Sequence, residues 1–229
     1  DLSLALTEYE DDPSLRCAVI FSHGEHFTAG LDLVELQPKL TAGVFDFPAT
    51  QINPWGTSSR PRTKPVVVAV QGFCFTAGIE LMLNADVVIA DANTQFAQME
   101  VQRGILPFGG ATVRFVQAAG WNKAMRYLLT GDSFNAQVAL DLNLITEVVE
   151  ASTPNAALER ALSLAESIAQ AAPLAVQATL ASAQQAVQLG ADYAFAHLQE
   201  HLSPLLKTQD VQEGVMAMLQ RRPAQFKGQ

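Results

Sequence analysis

Two acids and one backbone corner are the groups in this sequence best placed to do chemistry. Glu80 follows the turn Thr76-Ala77-Gly78, and Glu100 comes later, after two short apolar runs. If a helix opens near Ala77, its first N–H groups have no intrahelical acceptor and carry the positive end of the helix dipole. Such a corner can bind an oxyanion. Glu80, three residues beyond Ala77, shares that helix face. Two carboxylates beside such a corner suit a reaction that moves protons while negative charge develops on an oxygen. Taken alone, Glu80 is equally a first-turn carboxylate stabilised by its own helix, so the pair carries the reading.

Positioning these groups requires a strand, a turn and a helix. The run 66–70 (VVVAV) is continuously apolar and reads as a central strand buried on both faces. Residues 72–81 (GFCFTAGIEL) are expected to turn from it into a helix ending near Asn84. Residues 87–90 and 94–97 read as further short strands, and 145–149 as the last. Upstream, a helix over Leu2 to Tyr9 is closed by Asp11-Asp12-Pro13, and 16–22 (RCAVIFS) reads as a buried strand. The loop 24–33 (GEHFTAGLDL) has two glycines just after that strand, which allow a close backbone approach to a ligand, and Asp32-Leu33 opens a short helix. Residues 37–62, with four prolines and with Phe45, Phe47 and Trp55, read as a loop or broken helices over an apolar pocket. After a glycine-rich loop at 104–110 come helices at 112–119 and 123–129, then a short helix capped by Ser133 or Asn135. From Pro154 the pattern is purely helical, with breaks near Pro173, Gly190 and Thr208. The expected organisation is a core over 1–153 and a helical region over 154–229.

Composition narrows the function. With 49% hydrophobic and 16% charged residues, the 229-residue chain supports one sizeable core. A net charge of -9 argues against a nucleic-acid partner, which requires a basic face. Cys17 and Cys74 lie in strand-like surroundings and read as buried small hydrophobes. No apolar run is long enough to span a membrane, and the start has no signal-peptide pattern, so a cytoplasmic protein is expected. His197 and His201 share a helix face, but the residues between them lack the zinc-protease pattern and no third ligand is evident, so no metal is expected. No phosphate-loop or dinucleotide fingerprint occurs, nor a Gly-x-Ser-x-Gly nucleophile turn.

The segments 24–33 (GEHFTAGLDL), 64–81 (KPVVVAVQGFCFTAGIEL), 86–100 (DVVIADANTQFAQME), 129–137 (LTGDSFNAQ) and 222–227 (RPAQFK), in this order and spacing, resemble the enoyl-CoA hydratase/isomerase (crotonase) family over almost the whole chain. The resemblance implies an α/β fold, a spiral of ββα units with a C-terminal helical trimerisation region, commonly assembled as a homotrimer or dimer of trimers. It implies an acyl-CoA thioester substrate, coenzyme A being part of the substrate and no separate cofactor being needed. The oxyanion hole then falls on the N–H groups of Ala29 and Ala77, and the two hydratase carboxylates on Glu80 and Glu100. Phe27, Gly30, Asp32, Leu33, Phe108, Gly109 and Lys227 are the implied substrate-binding residues, with Arg221 and Arg222 as further candidates for the CoA phosphates. Three departures stand out: Phe108 where the family usually has Gly, Met99 where it usually has Pro, and a start inside the family's first helix. The last makes the sequence look like a fragment lacking the opening strands. A double-bond isomerase using one glutamate, or a non-catalytic acyl-CoA-binding protein, fits the same residues.

Overall fold

The computed structural model describes residues 1–42, 47–58, 60–150, 153 and 155–229. Two small sheets form its centre. The larger has four parallel strands, β1 (Ala18–Ile20), β2 (Val66–Val70), β4 (Val87–Asp91) and β7 (Glu147–Val149), in the order β1-β2-β4-β7. The smaller has β3 (Phe73–Phe75) parallel to β5 (Gln95–Ala97), with β6 (Phe134–Asn135) antiparallel to β5.

All five side chains of β2 are buried, and their alternation divides the interior in two. Val66, Val68 and Val70 face a core that includes Phe96 and Phe115, while Val67 and Ala69 face Ala157, Ala161 and Ala165. Those three alanines recur every fourth residue on helix α7 (Ala156–Gln170), so small side chains let the helix lie close to the sheet. Asp91 at the end of β4 accepts the N–H of Ala157 at 3.1 Å and fixes where α7 begins. The first helix of the expected C-terminal region therefore packs as part of the core. The expected boundary near 153 and 154, like Phe45 in the expected loop, touches residues outside the described ones.

Helix α1 (Leu2–Asp11) ends where Lys64 donates to the carbonyls of Tyr9 (2.9 Å) and Asp12 (2.6 Å), satisfying acceptors that a helix end leaves open. The segment expected to be only a turn, 72–76, instead contains β3. Its Phe-Cys-Phe alternation puts Cys74 fully inside, and three residues suffice because Thr28 bridges Cys74 on the other side. The chain then enters α3 (Ala77–Met82) through Thr76 at φ 48°, a strained angle for a β-branched residue. Short β6 was also missed by the strand pattern; it is held by Phe134 stacking on Phe96 at 5.6 Å. Of the two expected caps for α6 (Ala136–Asp141), Asn135 is the one used, accepting the Val138 N–H at 2.9 Å.

The remaining helices are α2 (Leu33–Thr41), α4 (Ala111–Ala119), α5 (Trp121–Leu128), α8 (Pro173–Leu189), α9 (Ala191–Leu205) and α10 (Gln209–Gln220). Among the described residues no helix is long and apolar enough to cross a membrane.

Candidate active site

Extended pairing brings the two sequence-distant motifs together. The Thr28 N–H donates to the Phe73 carbonyl at 2.9 Å, and the Phe75 N–H donates to the Thr28 carbonyl at 3.0 Å. The loop 24–33 thus lies alongside β3 and ends beside the start of α3. Gly30, at φ 107°, must be glycine there, because a Cβ would overlap Thr76 Oγ1. Ala29, Ala77, Glu80 and Glu100 then line one cavity of about 120 Å3, with Leu31, Leu33, Met99, Ile105 and Phe108 forming its apolar wall. Neither the Ala29 nor the Ala77 N–H donates to another described residue.

Glu80 is 2% exposed. Its Oε1 accepts the N–H of Ala111 at 3.0 Å, the first residue of α4, so the carboxylate serves the N-terminus of α4 rather than that of its own helix. Gly109 backs it closely: a Cβ there would sit 2.6 Å from Glu80 Oε2. Hydrogen bonds and the helix terminus favour the anion, yet burial disfavours it more, and the charge of Glu100 adds to that. The balance raises Glu80 to about 7. Glu100 opens a 3-10 turn (Glu100–Arg103) and is also raised by burial, despite the 2.9 Å bond that Gln98 Nε2 donates to its Oε1. Its Oε2 is buried with no hydrogen-bond partner, as is Oε1 of Gln98, among the described residues. Burial raises both carboxyls of this cavity, and Glu80, at about 7, is the one poised to exchange a proton near neutrality.

A model of the enoyl-CoA hydratase/isomerase family matches residues 1–229. The chain belongs to that family. Among curated relatives, the 2,3-dehydroadipyl-CoA hydratase of Escherichia coli (strain K12) is 34% identical, over 95% of this chain and 83% of the relative. The (E)-benzylidenesuccinyl-CoA hydratase of Thauera aromatica is 35% identical, over 100% of this chain and 88% of the relative. Among solved structures, a probable enoyl-CoA hydratase/isomerase from Mycobacterium abscessus superposes with a TM-score of 0.95 at 45% identity, covering 100% of this chain and 87% of that one. The fold is the crotonase fold.

In this enoyl-CoA hydratase/isomerase family member, the expected site residues fall into two groups. Leu33 and Phe108 reach the cavity with the two alanines and two glutamates, and Phe108 also lines a wider cleft of about 1320 Å3 in front of α8. Phe27, Gly30, Asp32, Gly109 and Lys227 are not on the cavity wall. Phe27 packs against the core, and Asp32 Oδ1 instead accepts the N–H groups of Val34 (2.9 Å) and Glu35 (3.2 Å), capping α2. Gly30 and Gly109 shape the site from behind, as above. Lys227 is exposed and held through its backbone by Asp210, and Arg222 is committed to Glu213 at 2.5 and 2.7 Å.

Sequence reasoning missed a supporting network. Trp55 Nε1 donates to the Ala77 carbonyl at 2.9 Å, and Arg114 Nη1 donates to the Trp55 carbonyl at 2.7 Å. Asn84 Nδ2 holds the Pro54 carbonyl at 2.9 Å. Three segments far apart in sequence thereby fix the peptide of Ala77. The one available signal was a tryptophan inside a proline-rich stretch, and it did not say which carbonyl that indole meets.

Proposed function

We propose that the protein is an enoyl-CoA hydratase, adding water across the 2,3 double bond of an acyl-CoA thioester. The observation that carries this reading is the convergence of two buried, unequally hydrogen-bonded glutamates on one cavity beside Ala29 and Ala77. In this reading the thioester oxygen lies between the Ala29 and Ala77 N–H groups, which stabilise the enolate. Glu80 orients the water and accepts its proton as the oxygen bonds to Cβ, and Glu100 delivers a proton to Cα. The two acids share the one proton this requires, and roles can pass between them through the bound water. Gly109 and the α4 terminus hold Glu80 in place, while Trp55 and Arg114 hold Ala77. Arg221 and Lys227 are the candidate cations for the CoA phosphates, since Arg222 is engaged.

We infer in addition a homotrimer or dimer of trimers. The support is the α8–α9 hairpin, which packs on itself and leaves Val187, Phe195, Leu198 and Leu206 more than half exposed. Large apolar side chains left this exposed on one helical hairpin fit an interface. Assay of the wild-type protein with a 2-enoyl-CoA should yield the 3-hydroxyacyl-CoA. Migration of the double bond without water uptake would instead favour an isomerase, and binding without turnover a non-catalytic role.

A further inference from the structure

One charged side chain on the cavity wall takes no part in the mechanism above. Arg103 closes the 3-10 turn that Glu100 opens, and it lines the same cavity. In a 3-10 helix residues three apart eclipse, with a rise of roughly 2 Å per residue, so Arg103 follows Glu100 on one face about 6 Å further along. Arg103 is itself exposed, and the wall it shares with the apolar Leu31, Leu33, Ile105 and Phe108 also carries the carboxyls of Glu80 and Glu100. Among the described residues Arg103 forms no ion pair and no side-chain hydrogen bond, although six other ion pairs occur. Glu100, on the same turn, does not pair with it and takes its one side-chain bond from Gln98.

Beyond the two glutamates assigned to the reaction, the wall is mainly apolar and holds one cation without a partner among the described residues, which suits a ligand that is apolar along most of its length and anionic at one point. The cation is one short turn from the acid assigned to Cα, within reach of the acyl group. The CoA phosphates are set off from the thioester by the long pantetheine arm, too far for the same contact. Arginine offers a planar fork that binds a carboxylate through two parallel bonds. We infer, resting on the hydratase reading, that Arg103 recognises a carboxylate on the acyl chain, so that the preferred substrates are enoyl-CoA thioesters of dicarboxylic acids. This cation also offsets the repulsion such a carboxylate would meet from Glu80 and Glu100.

The test compares two 2-enoyl-CoA probes of matched chain length, one ending in methyl and one in carboxylate, with wild type, Arg103→Met and Arg103→Lys. Wild type should favour the carboxylate probe in kcat/KM by at least about tenfold, the scale of a charge-assisted pair. Arg103→Met should abolish that preference while leaving the methyl probe within about twofold, and Arg103→Lys should restore part of it. An equal loss on both probes, which a CoA-phosphate contact or a structural role would give, overturns the proposal, as does a wild type indifferent to the carboxylate. If wild type hydrates neither probe, the hydratase reading fails by itself. Calorimetric binding of the two saturated analogues then decides the Arg103 proposal: a carboxylate preference lost in Arg103→Met sustains it, and equal affinities overturn it.

Discussion

Glu80 stands where opposing effects can be ranked. The α4 terminus and its Ala111 N–H favour the carboxylate, but burial to 2% exposure and the nearby Glu100 outweigh them, leaving the group near 7. A carboxyl whose folded-state pKa is raised contributes stability that is complete below its unfolded value and is lost as pH rises through the folded value. The native protein therefore gives up stability between about 4.5 and about 7 as Glu80 ionises, of the order of 3 kcal/mol in full. Glu80→Gln keeps an acceptor for the Ala111 N–H and removes the ionisation. Its melting temperature should match wild type near pH 5 and exceed it by several degrees at pH 8. A lower melting temperature at both pH values would mean that the anion, not the acid, is the stabilised form. Both glutamates were legible in the sequence only as a pair within an ordered set of motifs, because Glu80 alone reads equally well as a first-turn carboxylate. Gln98 and Arg114 were not, since each works through a partner that only the folded chain reveals.

At the scale of elements, the strongest periodic signals were also the correct ones. Continuous apolar runs gave β2 and β4, and the breaks near Pro173, Gly190 and Thr208 separate α7 to α10 as expected. What escaped were β3 and β6, three and two residues long, because strands so short exist through their pairing partners rather than their own pattern. The α8–α9 hairpin presents the opposite case, elements plainly readable but incompletely packed. No residue of α8 is buried, and Phe195 on α9 is 74% exposed. Light scattering should give three or six times the chain mass for wild type, and Phe195→Asp should reduce it. A monomeric wild type would leave that face without the partner assigned to it.

At the scale of the molecule, the site exists because two sheets meet. Strand β2 leads directly into β3, so one passage of chain leaves the large parallel sheet and enters the small one, and the Ala77 corner lies just past that exchange. The loop 24–33 is drawn in by pairing with β3, and the 3-10 turn follows β5, β3's other neighbour. Family-level order of motifs made this convergence foreseeable; the positions of Asp32 and Gly109 were not, because a residue can serve a site by capping a helix or by keeping Cβ out of the way. The central claim is that Glu80 and Glu100 act as one unit on one substrate. Hydration rates of Glu80→Gln, Glu100→Gln and the double variant test it most directly. The expected result is a fall in kcat of at least about a hundredfold for each single variant and little further loss in the double, because acids that act together are not additive. Unchanged turnover in either single variant, or a double loss equal to the product of the two, would contradict it.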